Sequence, residues 1–161
     1  MQVRITYTLL SCNANKRRKK KKKGNYPTND LQQVSTGLVT ESQQAVRILA
    51  EVCSVYAERN EALINAGTIA LSKETSDFPG YALVVEDQRW SVVRMSQEHG
   101  ILGLSAGGDS NPPRVEDSFR LGQKVLMYCN HSCITAAAHF AYYVVDERDI
   151  VREVWIPWKG W

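Results

Sequence analysis

The chain has 161 residues and a mass of 18.2 kDa; 43% of its residues are hydrophobic and 23% are charged. This size and composition suit one soluble globular domain with its own core, and they argue against a two-domain enzyme. No apolar run approaches the roughly 18 residues that a transmembrane helix needs, so we expect no membrane span.

The net charge of +3 hides an uneven distribution of charged side chains. Residues 1–23 hold nine of the twenty Lys and Arg residues and no acidic residue, mostly in the run KRRKKKKK from Lys16 to Lys23. The rest of the chain holds eleven basic and seventeen acidic residues, a net charge of −6. Neighbouring cations repel one another, so we expect a short strand within residues 1–15 and disorder from about residue 11 to 24.

The basic run raises the question of nucleic-acid binding, because clustered cations attract phosphates. It has no interleaved aromatic residues and the body carries the opposite charge, so we expect a solvated arm and no nucleic-acid partner. The four cysteines form no CxxC pair, and no secretory cleavage site follows the N-terminal apolar stretch. Both features favour a reducing, cytoplasmic compartment, or the nucleus if Lys16 to Lys23 acts as an import signal.

Short β-strands dominate the predicted structure. Gln44–Tyr56 alternates apolar and polar residues at period two, which indicates a half-buried strand, with a helix as the alternative. Residues 62–72 (ALINAGTIALS) predict a strand with a bend, because Gly67 and the β-branched residues disfavour a helix. The other predicted strands are Tyr81–Val85, Trp90–Met95, Lys124–Cys129, Ala141–Val145 and Ile150–Trp155.

The predicted fold class is mainly β, a small barrel or sandwich, because no long amphipathic helix separates the strands. Residues 134–140 (ITAAAHF) are predicted to form one or two helical turns. The C-terminal WIPWKGW, residues 155–161, is predicted to pack against the domain rather than to form an exposed patch.

The most reactive side chains lie in CNHSC, residues 129–133, at the end of a predicted strand. His131 and Cys133 are two residues apart, and in an extended chain such residues project to the same side. An imidazole and a thiolate suit a borderline-soft cation such as Zn²⁺, and two ligands leave positions open for water or substrate. The alternative is a buried cysteine and a hydrogen-bonded histidine, because His-x-Cys is a weak pattern.

Other candidate residues lie near this motif or in SQEHG, residues 96–100. Cys129 either joins the metal site or packs as a small hydrophobic residue, which we favour. Glu98 and His99 are candidates for residues that orient a metal ligand or substrate, although a polar turn is the simpler interpretation. His139 is expected to be a locally hydrogen-bonded histidine and not a ligand.

Four segments resemble, in order, the C-terminal part of eukaryotic-type D-serine dehydratases: DLQQVSTGLV, EVCSVYAERNEALINAGTIALSKET, W.VVRMSQEHGIL and GQKVLMYCNHSC followed by FAYYVVD. These enzymes and the D-threonine aldolases are alanine-racemase-like, fold-type III pyridoxal phosphate (PLP) enzymes. The resemblance covers about residues 24–161, and S.EHG and NH.C are among its most specific elements.

The resemblance implies a β domain like the C-terminal domain of alanine racemase, packed against an N-terminal (β/α)₈ barrel that holds PLP on a lysine. It also implies that His131 and Cys133 ligate zinc. The intact enzyme would convert D-serine, or a related β-hydroxy D-amino acid, to pyruvate and ammonia, with zinc on the β-hydroxyl. The aldolase relatives, which cleave the α to β carbon bond, are the alternative parent activity.

The chain departs from the family pattern where the cofactor is concerned. Fewer than thirty residues precede the matching region, whereas a (β/α)₈ barrel needs about 200 or more. Lys73, Lys124 and Lys159 lie in nothing like the family's cofactor-binding segment. We therefore expect a chain that binds no PLP and is inactive alone, with an arm foreign to the family at 1–23, a junction at 24–43 and the β domain at 44–161.

Two other interpretations stay open. The chain is a non-catalytic interaction module if its basic arm binds nucleic acid or an import receptor. Alternatively, the domain docks on a separately encoded barrel, or forms a homodimer, because the face that a barrel covers would otherwise be an exposed apolar patch.

Overall fold

Nine β-strands and four short α-helices make up the part of the chain that the computed structural model describes: residues 7–11 (backbone only), 25, 27–105 and 111–158. The strands are β1 Tyr7–Ser11, β2 Val46–Tyr56, β3 Glu61–Ile64, β4 Ala82–Val84, β5 Trp90–Met95, β6 Gly100–Leu104, β7 Lys124–Cys129, β8 Tyr142–Val145 and β9 Val151–Trp155. The helices are α1 Leu31–Ser35, α2 Thr68–Leu71, α3 Val115–Ser118 and α4 Ser132–Ala138.

Six of the strands close into a barrel. They pair in the order β3-β6-β5-β4-β7-β2, and β2 pairs back with β3. β2 closes the ring because its eleven residues are long enough to pair with β7 on one edge and with β1 and then β3 on the other. Its register against β3 shifts between Val52 and Ser54, a bulge that bends the strand.

The period-two pattern of β2 fills the barrel. Val46, Ile48, Ala50 and Val52 are all buried in the main hydrophobic cluster. The largest side chain in that cluster is Trp90, which contacts the ring of Phe119 edge to face at 5.0 Å between centroids. The six strands therefore surround a packed interior and not a channel.

Three strands extend the sheet beyond the barrel. β1 pairs antiparallel with β2 and parallel with β8, and β9 pairs antiparallel with β8. The predicted packing of the C-terminal segment is wrong for Trp155, Ile156 and Trp158, which are 47%, 69% and 101% exposed. The reason is that β9 is the last strand of this extension and all five of its residues are exposed.

The predicted fold class, a mainly β domain with a small barrel, is confirmed. β2, β4, β5, β7, β8 and β9 lie within two residues of their predicted ends, so the helical alternative for residues 44–56 is wrong. The strand predicted through residues 62–72 is wrong in its second half, where α2 forms, and β6, α1 and α3 are not predicted. Ser11 belongs to β1, whereas the rest of the segment expected to be disordered, residues 12–24 with the basic run, lies outside the described residues.

The helices are all short. Among the residues that the structure describes, none of them combines the length and the hydrophobicity needed to span a bilayer.

Gly67 explains why a helix replaces the predicted strand. A Cβ on this residue would lie 2.5 Å from the carbonyl oxygen of Gln97 and 2.6 Å from main-chain atoms of Ser96 and His99. The first turn of α2 therefore sits directly on the hairpin between β5 and β6. The amides of Thr68 and Ile69 donate to the carbonyl oxygens of Ser96 and Gln97, at 2.9 and 3.3 Å.

The Gly67→Ala variant should lose about 1–3 kcal/mol of unfolding free energy, because the atoms that its methyl group meets belong to the main chain and cannot move aside cheaply. Urea unfolding followed by tryptophan fluorescence measures the loss. Gly103→Ala is the control: the three atoms nearest to a Cβ built on Gly103 all belong to the Val93 side chain, the closest at 2.9 Å, and a side chain can turn aside where the main chain cannot. It should lose about 1 kcal/mol or less, and equal losses would show that the close approach to the main chain at Gly67 is unimportant.

Candidate metal site

Asn130 fixes the end of β7, where the candidate residues lie. Its side chain is buried and makes three hydrogen bonds. The amide nitrogen Nδ2 donates to the carbonyl oxygens of Glu74 at 2.8 Å and Gly80 at 3.1 Å, and Oδ1 accepts from the Ser76 hydroxyl at 2.7 Å. One side chain thereby anchors the loop between α2 and β4 beside the end of β7.

Asp30 joins the start of α1 to the start of α4. Its carboxylate is fully buried, and Oδ1 accepts from the amide of Gln33 at 2.9 Å as the N-cap of α1. Oδ2 accepts from the amide of Ser132 at 2.9 Å and from Nδ2 of Asn25. These donors compensate the cost of burying a carboxylate. The Ser132 hydroxyl adds a hydrogen bond to that of Thr28 at 2.7 Å.

His131 is the residue before α4, and its ring is oriented by Gln32. Nδ1 lies 2.8 Å from Oε1 of Gln32, and Nε2 of Gln32 donates to the carbonyl oxygen of Thr75 at 2.9 Å. Because a carbonyl oxygen only accepts, the Thr75 bond fixes which end of the Gln32 amide faces His131. Nδ1 must therefore donate, and the neutral ring keeps its lone pair on Nε2, the atom available to a metal.

Cys133 lies in the first turn of α4 and is exposed. The extended geometry predicted for His131 to Cys133 is therefore wrong, because Asp30 accepts the Ser132 amide and α4 begins at that residue. Partial burial, and then the negative charge of Asp30, raise the pKa of the Cys133 thiol. A metal that binds this sulfur has to displace a proton.

Of the remaining candidate residues, Cys129 lies close enough to Cys133 for the two thiols to interact electrostatically, whereas Glu98 and His99 lie in a different loop. Cys129 is buried in the barrel core, and burial raises the pKa of its thiol to about 12. Glu98 and His99 are exposed in the turn between β5 and β6. Within the described residues, no hydrogen bond or ion pair connects their side chains to His131 or Cys133.

α4 packs against α2 through two hydrogen bonds. The Thr135 hydroxyl donates to the carbonyl oxygen of Leu71 at 3.0 Å, and Nε2 of His139 donates to that of Ala70 at 3.1 Å. His139 is buried and hydrogen-bonded as expected, although its partner Ala70 lies 69 residues earlier in the chain and not in the neighbouring sequence. Its role is to hold the end of α4 in place.

The donors suit zinc in kind, because Nε2 is a neutral imidazole nitrogen and the thiol supplies a soft thiolate on deprotonation. Across the described part of the chain, no group of three or more His, Cys, Asp or Glu residues is arranged to hold a metal. Two protein donors leave a four-coordinate metal further positions for water or substrate, as a Lewis-acid site needs.

A cavity of about 320 Å³ lies at the opposite end of β7 from His131, and its lining includes Trp90, Phe119 and Lys124. β7 runs from Lys124 to Cys129, so the length of the strand separates this cavity from the candidate metal site. The cavity is therefore not part of that site.

Sequence comparisons identify the class of domain to which this barrel belongs. Residues 45–145 match the family model described as "Putative serine dehydratase domain". The chain therefore belongs to the serine dehydratase domain family. It is 41% identical over 146 residues to D-serine dehydratase of Schizosaccharomyces pombe and 34% identical over 148 residues to that of Saccharomyces cerevisiae, in both cases with 86% of this chain and 33% of the relative covered. The chain thus spans about a third of the length of these relatives.

Solved structures with the same fold include dehydratases, an alanine-racemase-like protein and a D-threonine aldolase from Filomicrobium marinum, the last with a TM-score of 0.62 at 23% identity over 83% of this chain and 34% of that chain. D-threo-3-hydroxyaspartate dehydratase from Delftia sp. HT23 superposes with a TM-score of 0.71 at 26% identity, over 85% of this chain and 38% of that chain. An alanine-racemase-like protein from Idiomarina loihiensis gives a TM-score of 0.70 at 26% identity, with the same coverage. Two further structures are of variants of a D-threo-3-hydroxyaspartate dehydratase: one has alanine in place of a histidine, and the other, in a metal-free form, has alanine in place of a cysteine two positions later.

Asn130→Asp is expected to lower the free energy of unfolding by about 2 kcal/mol or more. The aspartate has nearly the same shape, but its carboxylate has no N–H to donate to the carbonyl oxygens of Glu74 and Gly80. Chemical denaturation at neutral pH measures the effect. The control is Gln88→Glu at an exposed turn, which should change stability by about 0.5 kcal/mol or less. Similar losses in both variants would show that the Asn130 hydrogen bonds contribute little.

Proposed function

We propose that this chain is the metal-binding β domain of a PLP- and zinc-dependent D-amino-acid lyase, whose reaction converts D-serine to pyruvate and ammonia. His131 and Cys133 are its zinc ligands. The observation that carries the proposal is the orientation of His131: Gln32 accepts from Nδ1 and leaves Nε2 for a metal, two residues before an exposed thiol.

The relatives support both the metal and the type of reaction. All of the named curated relatives are dehydratases, of D-serine or of D-threo-3-hydroxyaspartate, so elimination is favoured over retro-aldol cleavage. The histidine and the cysteine substituted in the two D-threo-3-hydroxyaspartate dehydratase variants have the spacing of His131 and Cys133. The substrate class is therefore a β-hydroxy D-amino acid.

When bound, zinc would act as a Lewis acid on the β-hydroxyl group, and PLP would supply the electron sink for loss of the α proton. The residues of this chain prepare the metal end of that chemistry. Gln32 holds the proton on Nδ1 of His131, and Asp30 fixes the start of the helix that carries Cys133. We assign the lysine that holds PLP to the other two thirds of the length of the relatives, outside the part that this chain matches.

The surface around α4 suits a domain that packs against another. Ile69 on α2, Ile134 on α4 and Phe140 just after α4 are exposed apolar side chains. Large apolar residues grouped on a surface commonly mark an interface. We propose that a PLP-binding barrel, in the same or a separate chain, covers this face, that residues 24–43 form the junction to it, and that this chain is inactive alone.

Zinc binding to the purified full chain tests the ligand assignment. We expect His131→Ala and Cys133→Ser each to weaken zinc binding at least tenfold in isothermal titration calorimetry, because each removes one of two protein donors. With cobalt in place of zinc, Cys133→Ser should also abolish the thiolate-to-cobalt absorption band.

The matched controls are His99→Ala and Cys53→Ser, which remove a histidine and a cysteine elsewhere and should leave the affinity unchanged. Equal affinity in the His131 and His99 variants would overturn the assignment.

Separately, the chain with zinc, PLP and D-serine should form no pyruvate, and pyruvate formation would refute the claim that it is inactive alone.

Gln32→Leu is expected to weaken zinc binding about 10- to 100-fold with His131 and Cys133 intact, because the ring loses the acceptor that orients it. Gln33→Leu, the same change one residue later on α1, is the control and should bind zinc normally. The nitrogen chemical shifts of the His131 ring provide a second readout. They should show Nδ1–H as the main neutral tautomer in the unchanged chain and a mixture in the Gln32 variant. Unchanged shifts and affinity would contradict the role of Gln32.

A further inference from the structure

The β8–β9 hairpin depends on β1 for its place in the sheet. In the part of the chain that the structure describes, β8 pairs only with β1 and β9, and β9 pairs only with β8. Strand pairing therefore connects this hairpin to the barrel only by way of the five residues of β1. Those residues lie outside the segment that matches the family model, residues 45–145.

The two neighbours of β1 define one direction and one register for it. Tyr7 to Leu10 lie opposite Leu49 to Val46 in antiparallel pairing, and Thr8 to Ser11 lie opposite Tyr142 to Val145 in parallel pairing. Without β1, the facing edges of β2 and β8 would present main-chain donors and acceptors at the right separation for one extended chain. Such a gap is the kind of site to which a peptide adds as a strand.

Both walls of this gap are held by contacts that do not involve β1. β2 belongs to the closed barrel through β7 and β3. β8 is held by Tyr142, whose hydroxyl donates to the carbonyl oxygen of Ala136 at 2.8 Å, and by the ion pair between Arg47 and Asp149 after the strand. Val144 and Val145 are buried. These contacts keep β8 beside β2 when β1 is displaced, so that the gap can be filled again, but they do not replace the main-chain hydrogen bonds that protect the β8–β9 hairpin from exchange.

We infer that the gap between β2 and β8 is a binding site for one extended peptide strand, and that residues 7–11 are its ligand and need not be covalently continuous with the domain. Thirteen residues separate Ser11 from Asn25, eight of them the consecutive cations of Lys16 to Lys23. Main-chain pairing is what retains β1 in the sheet.

The test uses the full chain with Leu9→Pro, because proline in the middle of β1 removes an amide donor and fixes φ at a value unsuited to a central strand. Hydrogen exchange followed by mass spectrometry should show at least tenfold faster exchange in Tyr142–Val145 and Val151–Trp155. Exchange in the β5–β6 hairpin, residues 90–104, should be unchanged. Lys20→Pro, a proline in the linker, is the matched control and should leave all of these segments as they are.

A synthetic peptide of residues 1–11 is then added to the Leu9→Pro chain. We expect one peptide to bind per chain and to restore slow exchange in β8 and β9, whereas the same peptide with proline at position 9 should do neither. If Leu9→Pro disturbs the whole barrel, recovery of slow exchange in β8 and β9 on addition of the peptide still supports the inference. Unchanged exchange in the variant, or no recovery with the peptide, would overturn it.

Discussion

The buried carboxylate of Asp30 is the interaction on which the geometry of the candidate site depends. Burying a carboxylate without donors is costly, and here its oxygens accept from the amides of Gln33 and Ser132 and from the side chain of Asn25. These bonds fix the starts of α1 and α4 relative to each other. α1 carries Gln32 and α4 carries Cys133, with His131 directly before it, so one carboxylate sets the mutual position of all three side chains.

Most of the strands can be predicted from the sequence, because the pattern that indicates each of them lies within a few consecutive residues. In β2, the alternation of Val46, Ile48, Ala50 and Val52 reports directly which face enters the barrel. β6 escaped prediction because its sequence, GILGL, has two glycines and no polar alternation. α2 escaped because its formation depends on how closely Gly67 approaches the β5–β6 hairpin, a contact about thirty residues away along the chain.

In the candidate site, too, one part can be predicted from the sequence and another part cannot. His131 and Cys133 are visible in the sequence as a short motif, and the resemblance to D-serine dehydratases gave that motif its meaning. Their environment is not visible, because Gln32 and Asp30 lie about 100 residues earlier and no spacing rule links them to the motif. The sequence also suggested an extended geometry, which fails because a helix cap supplied by a distant residue decides where α4 begins.

α4 is held at both ends, and this connects the candidate metal site to the outer part of the sheet. Asp30 fixes its first residue, while near its last turn the carbonyl oxygen of Ala136 accepts from the hydroxyl of Tyr142 on β8. Among the described residues, strand pairing connects β8 to the barrel only through β1. Displacing β1 would therefore affect only one of the contacts of the last turn of α4, because His139 still joins that turn to α2, and would leave the Asp30 contact beside the candidate residue Cys133 in place.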